Sequence, residues 1–382
     1  MDNPFNLDPD LISLGDSGHG GDVWSAARNL GVPVSEILDL SASLNPLGQP
    51  PGLAEVVAQA MDLVCHYPDR NTLELRQALA GALGVTPANI LPGNGSTALI
   101  RVVARAMDLH SIVVMAPVFG EFARSLAITG RHFSYLILKE KNGFAPTPQD
   151  LDRLWDMDPS CVILSNPITP AGGLVAPEVL QALLAQAHRR RVWVVLDEAF
   201  IDFAPREARE WSPALLERYP RLLVLRSLTK FYCLAGLRLG FAMGHADTMA
   251  DLAPLAQAWS VNTLAQKAGV YCLGLDDYAR QTRLMVDQWR QQQEAGLKDL
   301  GLKVLPSQAN YLLCRLPDDG PTADLVAQAT AGKGVLVRAC GNFVGCSPFH
   351  LRTAVCTPQE QQRLLQALKP ALGMWLFGGS PK

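Results

Sequence analysis

An α/β fold is what this sequence predicts: a large domain built on a doubly wound, mostly parallel sheet, with a smaller α+β domain beside it. Short apolar runs of strand length alternate with helix-like runs from about residue 53 to 245, the pattern of repeated βαβ crossovers. Several of those apolar runs stop on a polar or charged residue, as strands do when they carry chemistry to the carboxyl edge of an open sheet. A length of 382 residues exceeds what one simple core accommodates, so two domains sharing a cleft are expected. Residues 51–275 are expected to form the large domain and 276–382 the small one, with 1–50 completing the small domain and the substrate site.

Along the chain, the first element with a chemical reading is Gly93-Asn94-Gly95-Ser96-Thr97, set between the apolar Ile90-Leu91 and a helical run over 98–106. Its backbone N–H groups and hydroxyls could cradle a phosphate at a helix N-terminus; an ordinary glycine turn is the alternative. The run 112–119 reads as a strand leading to Phe119, an aromatic able to stack on a flat ring, and 161–166 as a strand ending in the amide donor Asn166. A buried strand over 192–196 delivers Asp197, and another over 221–227 delivers Ser227-Leu228-Thr229-Lys230, followed by Gly236, Arg238 and Gly240. Singly, a lysine after a strand can be a solvated loop charge and an aspartate a helix N-cap. Together these strand ends converge on one planar, phosphorylated ligand, with a carboxylate for a ring nitrogen and an amine that could form a Schiff base.

A long amphipathic stretch follows, roughly 265–300. Beyond it, 309–315, 335–338 and 349–354 read as strands, 358–372 as a closing helix, and 378–382 as a disordered end. Two basic or polar positions lie outside the sheet edge. His19, in Gly18-His19-Gly20-Gly21, is a surface histidine or, through its flanking glycines, part of an anion site. Arg338, at the end of an apolar strand, needs a counter-ion, either a salt bridge within the protein or a ligand phosphate.

The combination Asp197-Glu198-Ala199-Phe200, Ser227-Leu228-Thr229-Lys230, Arg238 and Gly95-Ser96 resembles the fold type I enzymes that use pyridoxal 5'-phosphate, in the class I/II aminotransferase superfamily. The resemblance covers nearly the whole chain. It implies a transferase-like fold, Lys230 as the Schiff-base lysine, Asp197 on the pyridine nitrogen, Asn166 on the ring hydroxyl and Phe119 stacked on the ring. Gly95, Ser96, Ser227, Thr229 and Arg238 would hold the cofactor phosphate, joined by Tyr67 from the partner subunit of a homodimer. Arg352, in His350-Leu351-Arg352-Thr353-Ala354, matches the arginine that receives a substrate carboxylate. Within the superfamily, the glycine-rich His19 motif, the run 40–48 and Phe200, where aminotransferases usually place a tyrosine, resemble the threonine-phosphate decarboxylases of cobalamin biosynthesis. Histidinol-phosphate aminotransferases are close relatives. The resemblance then implies a phosphorylated amino acid as substrate, with contacts from His19, Gly20, Asn45, Asn166, Arg338 and Arg352.

A formal net charge of −3 offers no basic footprint for nucleic acid or an anionic membrane. No apolar run reaches membrane-spanning length, and the acidic start is unlike a secretory signal. Eight cysteines without a C-x-x-C pair point away from structural disulfides and zinc. A cytoplasmic enzyme is expected. The alternatives are a histidinol-phosphate aminotransferase, which would need a 2-oxo acid for its second half-reaction, and a non-catalytic pyridoxal-binding partner protein. Joint retention of Lys230, Asp197 and Arg352 weighs against the latter.

Overall fold

The computed structural model describes residues 19–106 and 110–376; Gly18 of the glycine-rich motif, the rest of 1–18, and the end segment 378–382 lie outside them. After a short helix, Val23–Leu30, the chain forms a two-residue strand, β1 (Leu38–Asp39). Seven strands then build the large sheet: β2 (Ile90–Asn94), β3 (Ile112–Ala116), β4 (Phe133–Ile137), β5 (Cys161–Ser165), β6 (Trp193–Asp197), β7 (Leu222–Ser227) and β8 (Leu239–Met243). Their spatial order is β2-β8-β7-β6-β5-β3-β4. Every pairing is parallel except the two made by β8 with β2 and β7.

Side chains alternate across this sheet, as the pleat dictates. Val113, Met115, Val162, Leu164, Val194, Leu196 and Val224 face one core, completed by helices Leu73–Leu83, Pro148–Asp156, Pro177–Arg190 and Thr263–Leu273. Ile112, Val114, Ile163, Val195, Leu223 and Leu225 face the other, under helices Gly95–Ala106 and Glu121–Ile128. Both faces are covered, which explains why β3, β5 and β7 read as unbroken apolar runs rather than alternating ones. The outer strand β4 and the antiparallel β8 carried no clear signal in the sequence. One is half exposed, and the other is dominated by its glycine.

The small domain differs from expectation in two places. The run 335–338, read as one strand, is two: β11 (Val335–Leu336) pairs in parallel with β1, and β12 (Arg338–Ala339) pairs antiparallel with β13 (His350–Ala354). The chain thus changes sheets at Val337, and the N-terminal β1 is stitched to the C-terminal part of the chain. With β9 (Lys303–Val304) and β10 (Tyr311–Arg315), these strands give a four-stranded antiparallel sheet in the order β12-β13-β10-β9. The amphipathic stretch 265–300 is likewise two helices, Thr263–Leu273 and Asp276–Asp299, broken after Gly274. A side-chain-free glycine at a helix end is a common stop. No helix among the described residues is long and apolar enough to cross a membrane.

The two domains meet beside the sheet edge. Glu140, just after β4, accepts a hydrogen bond from Arg315 at 2.9 Å and lies 3.3 Å from His350 Nε2 and 3.4 Å from Lys303 Nζ. One carboxylate of the large domain therefore gathers three basic side chains of the small one.

Candidate active site

Strand direction explains why six segments deliver side chains to one place. The carboxyl ends of β2, β3, β5, β6 and β7 lie on one sheet edge, and antiparallel β8 begins there. A cavity of about 270 Å³ opens on that edge, lined by Gly95, Ser96, Phe119, Asp197, Ser227, Thr229, Lys230 and Arg238 from the large domain. Its other wall comes from His19 and Gly20 near the N-terminus, and from Arg338, Asn342, Phe343 and Arg352 of the small domain.

Lys230 sits in a four-residue helix, Leu228–Phe231, that begins as β7 ends. Burial, with help from the nearby Arg352 and Arg238 charges, pushes its ammonium down to about 8. The Phe200 ring lies 5.9 Å from Lys230 Nζ and packs edge-on against Tyr311, so the apolar wall of the lysine pocket is aromatic. Asp197 ends β6, 7 % exposed. Burial pushes its carboxyl up to about 6; the Ala199 N–H, which donates to Oδ1 at 3.0 Å, opposes the shift. It is a buried carboxyl with no ion pair among the described residues, suited to face a protonated ring nitrogen.

Beneath Asp197 lies a buried pair that sequence reading did not single out. Arg226 and Glu198, 2 % and 0 % exposed, are 2.7 Å apart; Ser212 Oγ also donates to Glu198, and Arg226 to the Arg209 carbonyl. The guanidinium pairs the carboxylate next to Asp197 in the chain, whose charge still helps to raise the Asp197 carboxyl.

The expected phosphate end is built largely from backbone. Gly95 has φ +70°, and a Cβ there would lie 2.6 Å from Arg238 Nη2; a Cβ on Gly240 would lie 2.5 Å from the Ser96 nitrogen. The Gly95 N–H donates to the Arg238 carbonyl at 2.9 Å, and Arg238 itself holds a left-handed φ of 61°, a conformation uncommon outside glycine. Ser227 and Thr229 hydroxyls share a 2.6 Å hydrogen bond. Arg238 donates to the Ala235 carbonyl and has no acidic partner among the described residues. Backbone N–H groups at the start of Gly95–Ala106, two hydroxyls and an uncompensated guanidinium fit the phosphate of pyridoxal 5'-phosphate.

The ring end fits as well. Phe119 borders the cavity with its ring centroid 5.6 Å from that of His19. Asn166, 3 % exposed, directly follows β5 on the same sheet edge without lining the cavity; its amide oxygen accepts from the Val175 N–H at 3.0 Å, and no protein acceptor takes its Nδ2 among the described residues. Its backbone N–H donates to the Asp197 carbonyl, so the two residues hold a fixed relation. Tyr67 is not part of this chain's own cavity. It is 81 % exposed and stacked on Trp259 at 4.8 Å, with Arg70 over the same indole.

Opposite the lysine lies a cluster of cations. Arg352 is 8 % exposed, donates to the Ser41 carbonyl at 3.0 Å and stands over the Tyr311 ring at 5.0 Å; its buried Nε has no partner. Arg338 donates to Asn342 Oδ1 at 2.9 Å and lies over Phe343. Neither arginine forms an ion pair among the described residues. The strand register places Arg338 directly opposite Arg352 in the β12–β13 pair, an arrangement of like charges that costs stability. His19 adds a third basic group, its Nε2 3.3 Å from the buried Glu121 carboxylate.

One expected substrate contact is corrected. Asn45 is 4 % exposed and does not line the cavity. Its amide nitrogen donates to the Phe231 carbonyl, Tyr278 and Thr282, and its oxygen accepts from the Leu47 N–H. Every polar atom is consumed in tying the 40–48 run to the Asp276–Asp299 helix. The cavity is lined instead by its neighbours Ser41 and Ser43, and by Tyr135 and Thr169, which sequence reasoning missed. The polar alternation Ser41-Ala42-Ser43 was the available signal.

The sequence family aminotransferase class I and II matches residues 35–368. The threonine-phosphate decarboxylase of Salmonella typhimurium is 35% identical over 370 residues, spanning 94% of this chain and 98% of its own. Histidinol-phosphate aminotransferase 2 of Ralstonia nicotianae is 32% identical, over 92% of this chain and 93% of its own. Among solved structures, the histidinol-phosphate aminotransferase of Clostridium acetobutylicum superposes with a TM-score of 0.79 at 25% identity, covering 87% of this chain and 98% of that one. The L-threonine-O-3-phosphate decarboxylase of Porphyromonas gingivalis shares the fold with a TM-score of 0.76 at 24% identity, covering 87% and 99%.

Proposed function

Since the chain belongs to the class I and II aminotransferase family, with its fold type I architecture and pyridoxal 5'-phosphate cofactor, we propose that it decarboxylates L-threonine O-3-phosphate. The products are CO2 and (R)-1-aminopropan-2-ol O-2-phosphate, a cobalamin side-chain precursor. The observation that carries this reading is the facing pair Arg338 and Arg352, without ion-pair partners among the described residues, with His19 beside the same cavity. A buried and a half-buried arginine held in register call for a ligand bearing two anions. A phosphorylated amino acid supplies a carboxylate and a phosphate.

The residues divide the work by chemistry. The cofactor, when bound, supplies a sink for the electron pair left at Cα. Lys230 would hold it covalently and Asp197 would keep the proton on its ring nitrogen, while Asn166 would offer Nδ2 to its ring hydroxyl and Phe119 would pack against the ring. Gly95, Ser96, Ser227, Thr229 and Arg238 take its phosphate, with Tyr67 of the partner subunit as a further donor in a cytoplasmic homodimer. Arg352 receives the substrate carboxylate and Arg338 with His19 the distal phosphate. A grip on the carboxylate stabilises the ground state and opposes its loss, so the distal anchor at Arg338 and His19 must provide the binding energy that orients the substrate for loss of CO2. After CO2 leaves, Lys230, with its ammonium pushed down to about 8, is suited to return a proton to Cα.

A histidinol-phosphate aminotransferase is the second reading, favoured by relatives such as that from Ralstonia nicotianae. Histidinol phosphate has one anionic group and no carboxylate, which leaves one of the facing arginines without a partner in that half-reaction. Purified holoenzyme should be incubated separately with L-threonine O-3-phosphate and with histidinol phosphate plus a 2-oxo acid. CO2 and an amino-alcohol phosphate from the first alone support the decarboxylase. Conversion of the second to a keto product, with no CO2 from the first, refutes it.

A further inference from the structure

Ser41 touches both anion-binding ends of the cavity with different atoms. Its carbonyl accepts the 3.0 Å hydrogen bond from Arg352, and its hydroxyl accepts one from the Gly21 N–H at 2.8 Å. The same hydroxyl donates to Asp39 Oδ1 at 2.6 Å, and that oxygen also takes the Ser41 and Ala42 N–H groups at 2.9 and 3.3 Å. Asp39 belongs to β1, fixed by pairing with β11. The segment 19–21 lies directly on the Ser41 peptide: a Cβ on Gly20 would come within 2.3 Å of the Ser41 carbonyl oxygen. With Ser41 only 6 % exposed, water cannot readily replace these bonds.

We propose that Ser41, held by Asp39, is a positioning residue that sets the spacing between the distal anion site at His19 and Gly20 and the proximal one at Arg352, and so selects substrates by the separation of their two anions. The proposal rests on the doubly anionic substrate argued above. Neither Ser41 nor Asp39 needs to touch substrate for this. They fix the glycine-rich segment against the carbonyl that holds the arginine.

Ser41→Ala removes the hydroxyl and keeps the carbonyl, which separates the two ends. Calorimetric titration of the holoenzyme should show affinity for L-threonine O-3-phosphate and for inorganic phosphate reduced about tenfold, the effect of losing the hydroxyl's two part-buried hydrogen bonds and leaving the Gly21 N–H without its acceptor. Affinity for plain L-threonine should change by less than about twofold, because the Arg352 partner is intact. In a His19→Ala background the Ser41→Ala effect on the phosphorylated ligand should shrink to under about twofold, since both act through one segment. Asp39→Asn, equal in shape but uncharged, should give the same pattern at about threefold, and it carries the test if Ser41→Ala does not fold. Equal losses on phosphorylated and plain threonine, or full additivity with His19→Ala, overturn the proposal. If the wild-type holoenzyme fails to bind L-threonine O-3-phosphate, the substrate reading falls, and Ser41 is then judged on inorganic phosphate alone, where an unchanged affinity refutes its role.

Discussion

Replacing Arg338 with alanine should leave the stability of the empty enzyme nearly unchanged and weaken the occupied one. In the empty protein Arg338 faces Arg352 across a strand pair. At a charge separation on the order of 7 Å and an effective dielectric of about 20, their repulsion is about 2 kcal/mol. Arg338 offsets this with a hydrogen bond to Asn342 and a contact over the Phe343 ring, each worth about 1 kcal/mol. Burial and Arg352 both hold its guanidinium below the usual value, in keeping with a charge that lacks a counter-ion. The terms nearly cancel, so stability should stay within about 1 kcal/mol of wild type, a shift of about 2 °C in Tm. Binding of a phosphorylated substrate loses a charge-assisted contact worth about 1.5–3 kcal/mol, roughly ten- to a hundredfold in kcat/KM. Thermal melts and steady-state CO2 release on L-threonine O-3-phosphate and plain L-threonine measure both halves. A large drop in Tm together with equal losses on the two substrates would refute the reasoning and make Arg338 a packing residue.

Lys230→Ala should abolish turnover and the visible band of lysine-bound cofactor while phosphate-mediated binding of free cofactor persists; near-normal CO2 release would end the pyridoxal reading. Reaction of Lys230 with the cofactor aldehyde requires the neutral amine. Because burial pushes its pKa down to about 8, the rate of reconstitution should climb about tenfold per pH unit below 8 and level off above it, whereas a rise continuing past pH 10 would show an ordinary lysine. Asp197→Asn keeps shape and removes charge, so kcat should fall far more than cofactor affinity, and the reverse pattern would make Asp197 a structural cap. Arg226→Met strands the Glu198 carboxylate in the core and should destabilise by about 3–5 kcal/mol in denaturant melts; a cost under about 1 kcal/mol would mean Glu198 is already protonated.

What could be read from the chain and what could not follows from range. Asp197, Lys230 and Arg238 were legible because each stands where an apolar strand ends or begins, a local signal that survives without knowing the partners. The split of 335–338 was not, because Val335 pairs with Leu38 and Arg338 with Arg352. Nothing within the four residues reveals that they serve two sheets. Asn45 was misassigned for the same reason: its partners Tyr278 and Thr282 lie more than two hundred residues on. Arg226 drew no reading of its own within the 221–227 run, and only the packed structure shows its buried ion pair with Glu198, next to Asp197 in the chain.

The crowding of Gly95, Gly240 and Arg238 has an implication for change. At that end of the cavity the backbone packs closely, and a Cβ at Gly95 or Gly240 would meet the Arg238 side chain at 2.6 Å or the Ser96 nitrogen at 2.5 Å. The left-handed φ at Gly95 and the backbone contact at Gly240 both disfavour any side chain there. The opposite end is assembled from ordinary side chains on separate segments, at His19, Tyr135, Arg338 and the loop bearing Asn342 and Phe343. Natural divergence, or a mutant library seeking new substrates, therefore has one wall it must inherit unchanged and another it can rewrite one side chain at a time.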